Sequence, residues 1–349
     1  MTRGEGAERH YNSATHTNML SLVIPVYRNE ENLPRLFGEL ERLGERLPTE
    51  LEIVFVVDGS PDASLQILRE QLPSWRMRTQ LVELSRNFGS FSAVAAGLRL
   101  GRGDWFAVIA ADLQEPPELV LEFHRLMQSG EADVVFGHRT GRSDAWLSQL
   151  LSDLFWRLYR HFVVRDMPKG GIDVFGCTRQ VRDRLMELKE LNTNLIALLF
   201  WLGFRRAFVP YQRRARLEGR SAWTLGRKLR YAIDSIFSFT DLPIKALLFL
   251  GAAGTTAAVV AGVTVLIVWS LGRIHVLGYT PLMLVISFFG AVTALGLGII
   301  GQYLWLSLQN ARGRPNFVVR STWVSGPAHT ESPVDAGAAQ RAMAERNSS

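Results

Sequence analysis

Apolar positions in the first half of the chain form short runs, separated by stretches of helical spacing. Leu20–Val26 (LSLVIPV) is a continuous apolar run of strand length, and Ile53–Val57 (IVFVV) is β-branched and stopped by Asp58-Gly59-Ser60. Leu81–Leu84, Trp105–Ala111 and Asp133–Phe136 are three further strand candidates. Between them, Leu33–Leu47, Ala63–Leu72, Phe91–Leu100 and Pro117–Met127 carry apolar residues at helical intervals. Strands alternating with helices predict βαβ units and a mostly parallel α/β sheet. Strands without polar alternation predict that both faces of the sheet are covered. Ligands of such sheets bind beyond the carboxyl ends of the strands, where Asp58 and Asp112 fall.

The second half has a different character. Leu195–Phe204 (LIALLFWLGF) is too short to cross a bilayer and reads as a buried or an interfacial helix. Thr224–Asp241 places Leu225, Leu229, Ile233, Ile236 and Phe237 on one helical face, with Arg227, Lys228 and Arg230 between them. That pattern predicts either an amphipathic helix lying on a membrane surface or a core helix of the soluble domain. Ala246–Gly272 is then 27 residues without a formal charge, and Val276–Ala311 is 36 more. A spanning helix needs about 20 apolar residues, so the two runs predict a transmembrane hairpin. The resulting organisation is a polar, disordered 1–18, an α/β domain at 19–223 and an interfacial helix at 224–243. Two spans follow within 244–311 (about 246–271 and 282–308), then a mostly disordered tail at 312–349.

Charge sharpens this picture. The 349 residues carry 39 Lys and Arg against 33 Asp and Glu, a net charge of +6. Arg213, Arg214, Arg216, Arg220, Arg227, Lys228, Arg230 and Lys245 precede the first run, and Arg312, Arg314 and Arg320 follow the second. A basic cluster in that position faces anionic lipid rather than nucleic acid, and no module of stacking aromatics accompanies it. The loop between the runs carries only Arg273. The positive-inside rule therefore predicts a multi-pass protein of the inner (plasma) membrane, with the soluble domain and both termini cytoplasmic. Gly and Ala spacing in both arms permits close helix packing and association of copies into a homo-oligomer. A single cysteine, Cys177, excludes a disulfide framework and a cysteine-rich zinc site.

The candidate chemistry lies in three acidic turns: Asp58-Gly59-Ser60-Pro61-Asp62, Asp112-Leu113-Gln114-Glu115-Pro116-Pro117-Glu118 and Gly170-Gly171-Ile172-Asp173. Any one of them is explained by helix capping and chain reversal. Capping does not account for a second buried strand that also ends in Asp, with Gln114 two residues on. Two oxygen ligands at that spacing can meet one hard divalent cation, which would neutralise a diphosphate. Arg86, Arg139, Arg142, Arg213 and Arg216 are suited to bidentate phosphate contact, although each alone reads as a surface charge. Neither a GxxxxGK[ST] phosphate loop nor a Gly-rich dinucleotide fingerprint is present.

Five stretches in order carry a resemblance: Pro25-Val26-Tyr27 with Glu30 and Asn32, Val57-Asp58-Gly59-Ser60 with Asp62, Ser85-Arg86-Asn87-Phe88-Gly89, Ala111-Asp112-Leu113-Gln114 with Pro116-Pro117-Glu118, and Arg216-Leu217-Glu218-Gly219-Arg220-Ser221. From about residue 20 to 320 the chain resembles the polyprenyl-phosphate branch of the family 2 inverting glycosyltransferases. The resemblance implies a glycosyltransferase A-type (Rossmann-like) fold, a UDP- or GDP-sugar donor, Mg²⁺ or Mn²⁺, and a polyprenyl phosphate acceptor. Pro25, Tyr27, Glu30 and Asp58 then lie near the nucleoside, with Arg86 and Ser221 also on the donor side. Asp112 and Gln114 match metal ligands, Arg139, Arg142 and Arg216 hold phosphates, and Asp173 lies near the acceptor as a positioning group or base. Helix capping is an equal reading of Asp173.

Three positions depart from the family pattern. Val57 and Ala110 stand where the family usually has acidic residues, and Ala222 stands where it usually has Lys. These departures bear on base recognition and metal affinity. Two other functions fit the resemblance: transfer to a lipid-linked saccharide or protein hydroxyl, and a non-catalytic membrane scaffold that binds nucleotide sugars. A processive polysaccharide synthase would show more spans and a QxxRW motif, and neither is present.

Overall fold

The computed structural model describes residues 18–140, 168, 172–188, 195–212, 242–271 and 279–325. Its strands are β1 (Met19–Val26), β2 (Glu50–Val57), β3 (Arg78–Leu84), β4 (Trp105–Val108), β5 (Val134–Arg139), β6 (Ile172–Thr178), β7 (Arg206–Tyr211) and β8 (Val319–Ser325). They form one sheet in the order β7-β5-β6-β4-β1-β2-β3-β8. β1, β2, β3 and β4 run parallel, and β7 is parallel to β5. β6 runs antiparallel between β4 and β5, and β8 runs antiparallel along β3.

The helices of the domain are α1 (Leu33–Arg46), α2 (Ser64–Gln71), α3 (Ser90–Leu100), α4 (Leu119–Gln128), α5 (Arg179–Glu187) and α6 (Leu195–Trp201). One face of the sheet is covered by α1, α2 and α4, through Leu33, Leu36, Leu40, Leu68, Val120 and Phe123. The other is covered by α3, α5 and α6, through Ala93, Ala96, Val181, Leu185 and Leu199. This double cover is why the strands of the first half can be apolar throughout: neither side of them meets water. Leu195–Phe200 are all buried, so the LIALLFW run is a core helix and not an interfacial one.

Three strands are not anticipated by the hydrophobic pattern. β6 begins at Ile172, so Asp173 opens a strand and does not end one, while residues 170 and 171 lie outside the described residues. Because β6 is antiparallel, its first residues still lie beside the carboxyl ends of β4 and β5. β7 contains Pro210, which an edge strand tolerates because one row of its backbone groups needs no partner. β8 lies within the segment read as a tail and returns to the sheet after two long helices.

Those helices are α7 (Leu242–Ser270) and α8 (Tyr279–Ala311), of 29 and 33 residues. Among the described residues no helix is long and apolar enough to cross a membrane. Side chains at intervals along both helices lie outside the description. The amphipathic segment 224–241, the N-terminus 1–17 and the tail beyond 325 also lie outside the described residues.

Candidate functional site

The carboxyl ends of β1, β2, β3 and β4 and the start of β6 gather five loops along one rim of the sheet. Asp58 follows β2 directly. Its N–H donates to the carbonyl of Val26 (3.1 Å), which fixes it beside the end of β1. Its carboxylate accepts from the N–H of Phe88 at 2.7 Å and of Gly89 at 2.8 Å, in the loop after β3. Asp58 is only 3% exposed, and burial pushes its carboxyl above the usual range. The two backbone donors and the charge of Arg86 oppose that shift. Gly59, with φ +57°, makes this approach achievable: a Cβ there would lie 2.5 Å from the backbone of Arg86 and Asn87.

A second set of bonds ties the loop after β1 to the loop after β2. Asp62 accepts from Ser60 Oγ (2.5 Å), Ser64 Oγ (2.8 Å) and the N–H of Glu30 (3.1 Å). Burial raises its carboxyl, but these donors outweigh burial and hold it below the usual range. The group therefore stabilises the fold above the ordinary carboxylate range, and that contribution is lost as pH falls through its lowered value. Glu30 Oε2 accepts from the N–H of Ala63 (2.8 Å), Ser60 Oγ from the N–H of Arg28 (2.8 Å), and Ser64 Oγ from the N–H of Asn29 (3.1 Å). Arg28 adopts φ +57°, unusual for a residue with a side chain, and these bonds hold it there. Glu30, Ser60, Asp62 and Ser64 thus form the frame around Asp58. The role of Ser64 is not legible in the sequence, where capping of α2 explains the same residues.

Tyr27 is exposed at the rim, with the Arg28 guanidinium 5.5 Å from its ring centre. Arg86 stacks 4.0 Å over the Phe88 ring, and its Nη1 donates to the carbonyl of Asn87 (3.0 Å). Exposed aromatic and guanidinium planes side by side are competent to meet a base and a phosphate. Pro25 is half-buried in β1 beneath them.

The turn after β4 carries Asp112. Leu113 takes φ +55° with its side chain buried in the core, and the N–H of Gln114 donates to Asp112 Oδ1 (3.3 Å). Asp112 is half-buried, while Gln114 and Glu115 are almost fully buried. The strained Leu113 anchors the turn from below and leaves Asp112 at the rim. Arg139 closes β5 beside Tyr211 at the end of β7. The backbone of Asp173 lies at the start of β6 on this same rim, and its side chain lies outside the description. Arg142, Arg216 and Ser221 also lie outside the described residues.

Comparison with known proteins decides what kind of protein carries this rim. The glycosyl transferase family 2 profile matches residues 21–187. An uncharacterized glycosyltransferase of Synechocystis sp., sll0501, is 34% identical over 306 residues, covering 87% of this chain and 95% of that one. The chain belongs to glycosyl transferase family 2. The uncharacterized glycosyltransferase YkcC of Bacillus subtilis is 31% identical over 304 residues, 87% of this chain and 94% of its own. The bactoprenol glucosyl transferase of Shigella phage SfII is 29% identical over 309 residues, 88% of this chain and 99% of its own.

In this family 2 glycosyltransferase the two departures from acidic residues have different surroundings. Val57, the last residue of β2, is 1% exposed, and its side chain packs in the core with residues of α1 and α2. Ala110 is half-buried in the turn that leads to Asp112. Among the described residues there is no cluster of three His, Cys, Asp or Glu side chains that could hold a metal ion. The oxygen donors that this turn carries are the Asp112 carboxylate and the Gln114 amide. These are hard oxygen donors that suit Mg²⁺ or Mn²⁺, provided that diphosphate oxygens and water complete the shell.

Proposed function

We propose that this glycosyltransferase moves a hexose, with inversion, from a UDP- or GDP-sugar to a polyprenyl phosphate, undecaprenyl phosphate in a bacterium, at the cytoplasmic face of the inner membrane. The observation that carries the reading is topological. β7 is parallel to β5, so the chain leaves the sheet towards α7 at the rim that holds Asp58 and Asp112. β8 is antiparallel to β3, so the chain re-enters the sheet from α8 at that same rim. Seven residues, 312–318, join α8 to β8, a reach of at most about 25 Å. A site on that rim is therefore close to whatever surrounds α8.

Lipid is the environment that the full sequence of α7 and α8 suits, since Ala246–Gly272 and Val276–Ala311 carry no formal charge. At about 1.5 Å per residue they are about 43 and 50 Å long, more than the ~30 Å hydrocarbon core. Their exposed side chains include Phe249, Val260, Ile267, Leu282, Ile286, Leu297 and Leu304. A water-soluble protein does not leave so many large apolar groups on two helices. Trp305 lies 5.8 Å from the Arg312 guanidinium at the end of α8, an aromatic and basic pair suited to the headgroup layer. The relative named a bactoprenol glucosyl transferase supports the same acceptor class.

The chemistry follows from charge. A lipid phosphate is already an anion near neutral pH, so it needs no general base. One of its oxygens attacks the anomeric carbon from the face opposite the leaving group. The bond between that carbon and the diphosphate oxygen breaks, and the nucleoside diphosphate departs with the electron pair. The difficulty is bringing one anion against another, and Arg139, Arg142 and Arg216 supply compensating charge and alignment. Asp112 and Gln114 would hold a divalent cation, which would supply further charge compensation to the diphosphate. Asp58, with Pro25, Tyr27, Glu30 and Arg86 on the same rim, binds the donor; Ser221 is assigned to the donor by the resemblance alone, and Asp173 positions the acceptor.

Two measurements follow. Membranes containing the protein, fed a panel of radiolabelled UDP- and GDP-sugars, should give one labelled lipid on thin-layer separation. Label that stays water-soluble with every donor overturns the proposal. Nucleotide affinity should also fall on acidification within a range above that of an ordinary Asp. A protonated Asp58 loses one of its two backbone N–H bonds, and its carboxyl is raised. Folding stability changes in the opposite sense. The folded state binds this proton more tightly than the unfolded chain, so the group favours the fold at low pH and loses that contribution as pH rises through its folded value. An Asp58→Asn variant whose nucleotide affinity retains the same acid step would dissociate Asp58 from donor binding.

A further inference from the structure

We infer that β8 is a positioning strap for the donor loop: the strand returning from the hairpin holds Ser85–Gly89 in the conformation that clamps Asp58, and so sets donor affinity. The inference rests on the glycosyl-transfer reading above. Its physical basis is a carboxylate that plays no part in that reading. Glu83, near the end of β3, is almost fully buried. Its Oε2 accepts from Arg69 Nη2 on α2 (2.8 Å) and from Ser321 Oγ on β8 (2.7 Å), and its Oε1 accepts from Arg320 Nη1 on β8 (3.2 Å).

Consecutive residues of a regular strand point to opposite faces, so Arg320 and Ser321 should not reach one carboxylate. The pairing supplies the reason that they do. Glu83 is opposite Ser321 and Leu84 is opposite Val319, so Arg320 is the extra residue of a bulge. A bulge re-aims a side chain, and here it turns the Arg320 guanidinium onto the Glu83 that Ser321 already meets.

Beyond the bulge the strand continues into the site. The N–H of Ser85 donates to the carbonyl of Val318 at 2.9 Å. Phe317 and Val319 pack with Phe88 and Phe91 against the core on the α3 side of the sheet. The donor loop is thus held on one flank by β8 and on the other by its bonds from Phe88 and Gly89 to Asp58. Register is weakly specified in a half-polar edge strand, and a buried carboxylate with three donors fixes this one. Since only seven residues separate α8 from β8, the strap also ties the second of the two long helices to the donor loop.

The test uses the full chain in detergent or nanodiscs, with UDP and GDP as probes. The double variant Arg320→Ala/Ser321→Ala removes both β8 donors, and Glu83→Gln removes the charge while keeping the shape. Each should weaken binding of the preferred nucleotide by about tenfold and raise the donor KM in proportion, with kcat changed by less than about twofold. Arg320→Lys with Ser321→Thr should restore most of the affinity. A merely structural role predicts the reverse: a smaller active fraction, hence a lower apparent kcat, with KM and nucleotide affinity unchanged. That result overturns the inference and leaves the function standing. A wild-type protein that binds neither UDP nor GDP overturns the donor reading and the strap with it.

Discussion

Replacing Asp112 by Asn should lower the rate of sugar transfer by about a hundredfold or more, the scale of losing a charge-stabilising group from a transferase site. Asn keeps the size of the side chain and an oxygen acceptor for the Gln114 N–H, so the turn should survive. What disappears is the only carboxylate of the Asp112-Leu113-Gln114 turn. Ala110 cannot substitute for it, and no acidic cluster exists among the described residues to take over. The loss should appear in kcat and in the dependence of nucleotide affinity on Mn²⁺, with thermal unfolding little changed. Wild-type turnover in Asp112→Asn would remove this turn from the reaction.

Gly59→Ala should be the most damaging single methyl group in the domain. Two costs act together. The residue sits at φ +57°, where a side chain meets its own backbone, and the new Cβ would lie 2.5 Å from backbone atoms of Arg86 and Asn87. Backbone cannot step aside as a flexible side chain can, so the loop after β3 must move away from Asp58. The expected cost is about 2–4 kcal/mol, with nucleotide binding lost at temperatures where the protein is still folded. Gly38, in α1, is the control. Nothing lies within 4 Å of its would-be Cβ, and Ala there should be neutral or slightly stabilising. Equal melting temperatures and nucleotide affinities for the two variants would contradict the clamp geometry.

How much of this was legible in the sequence depends on what each segment has to hide. β1 through β5 and α1 through α4 are readable because they are buried on regular faces, so period and length both report them. Asp58 and Asp112 are readable because polar residues ending such runs have a narrow set of explanations. The resemblance then gave the loops after β1, β2, β3 and β4 a common set of expected roles. Other features answer to distant parts of the chain. β8 is half polar, since an edge strand has one flank open to water, and its partner β3 lies more than 230 positions earlier. β7 hides behind Pro210, and β6 is interrupted by Asp173 and Gly176, which obscure a strand period. The Glu83 clamp depends on a bulge, which no spacing rule reveals. Val57 reads as a lost recognition residue, but its side chain faces the core.

The central claim is that a lipid phosphate, and not a hydroxyl, receives the sugar at this rim. Phosphorus NMR of the purified reaction product measures it most directly. With polyprenyl phosphate, donor and divalent cation, the monoester resonance should give way to a phosphodiester coupled to the anomeric proton, in the configuration opposite to that of the donor. A product in which the phosphate remains a monoester and the sugar sits on a hydroxyl, or in which the donor's configuration is retained, would contradict the account.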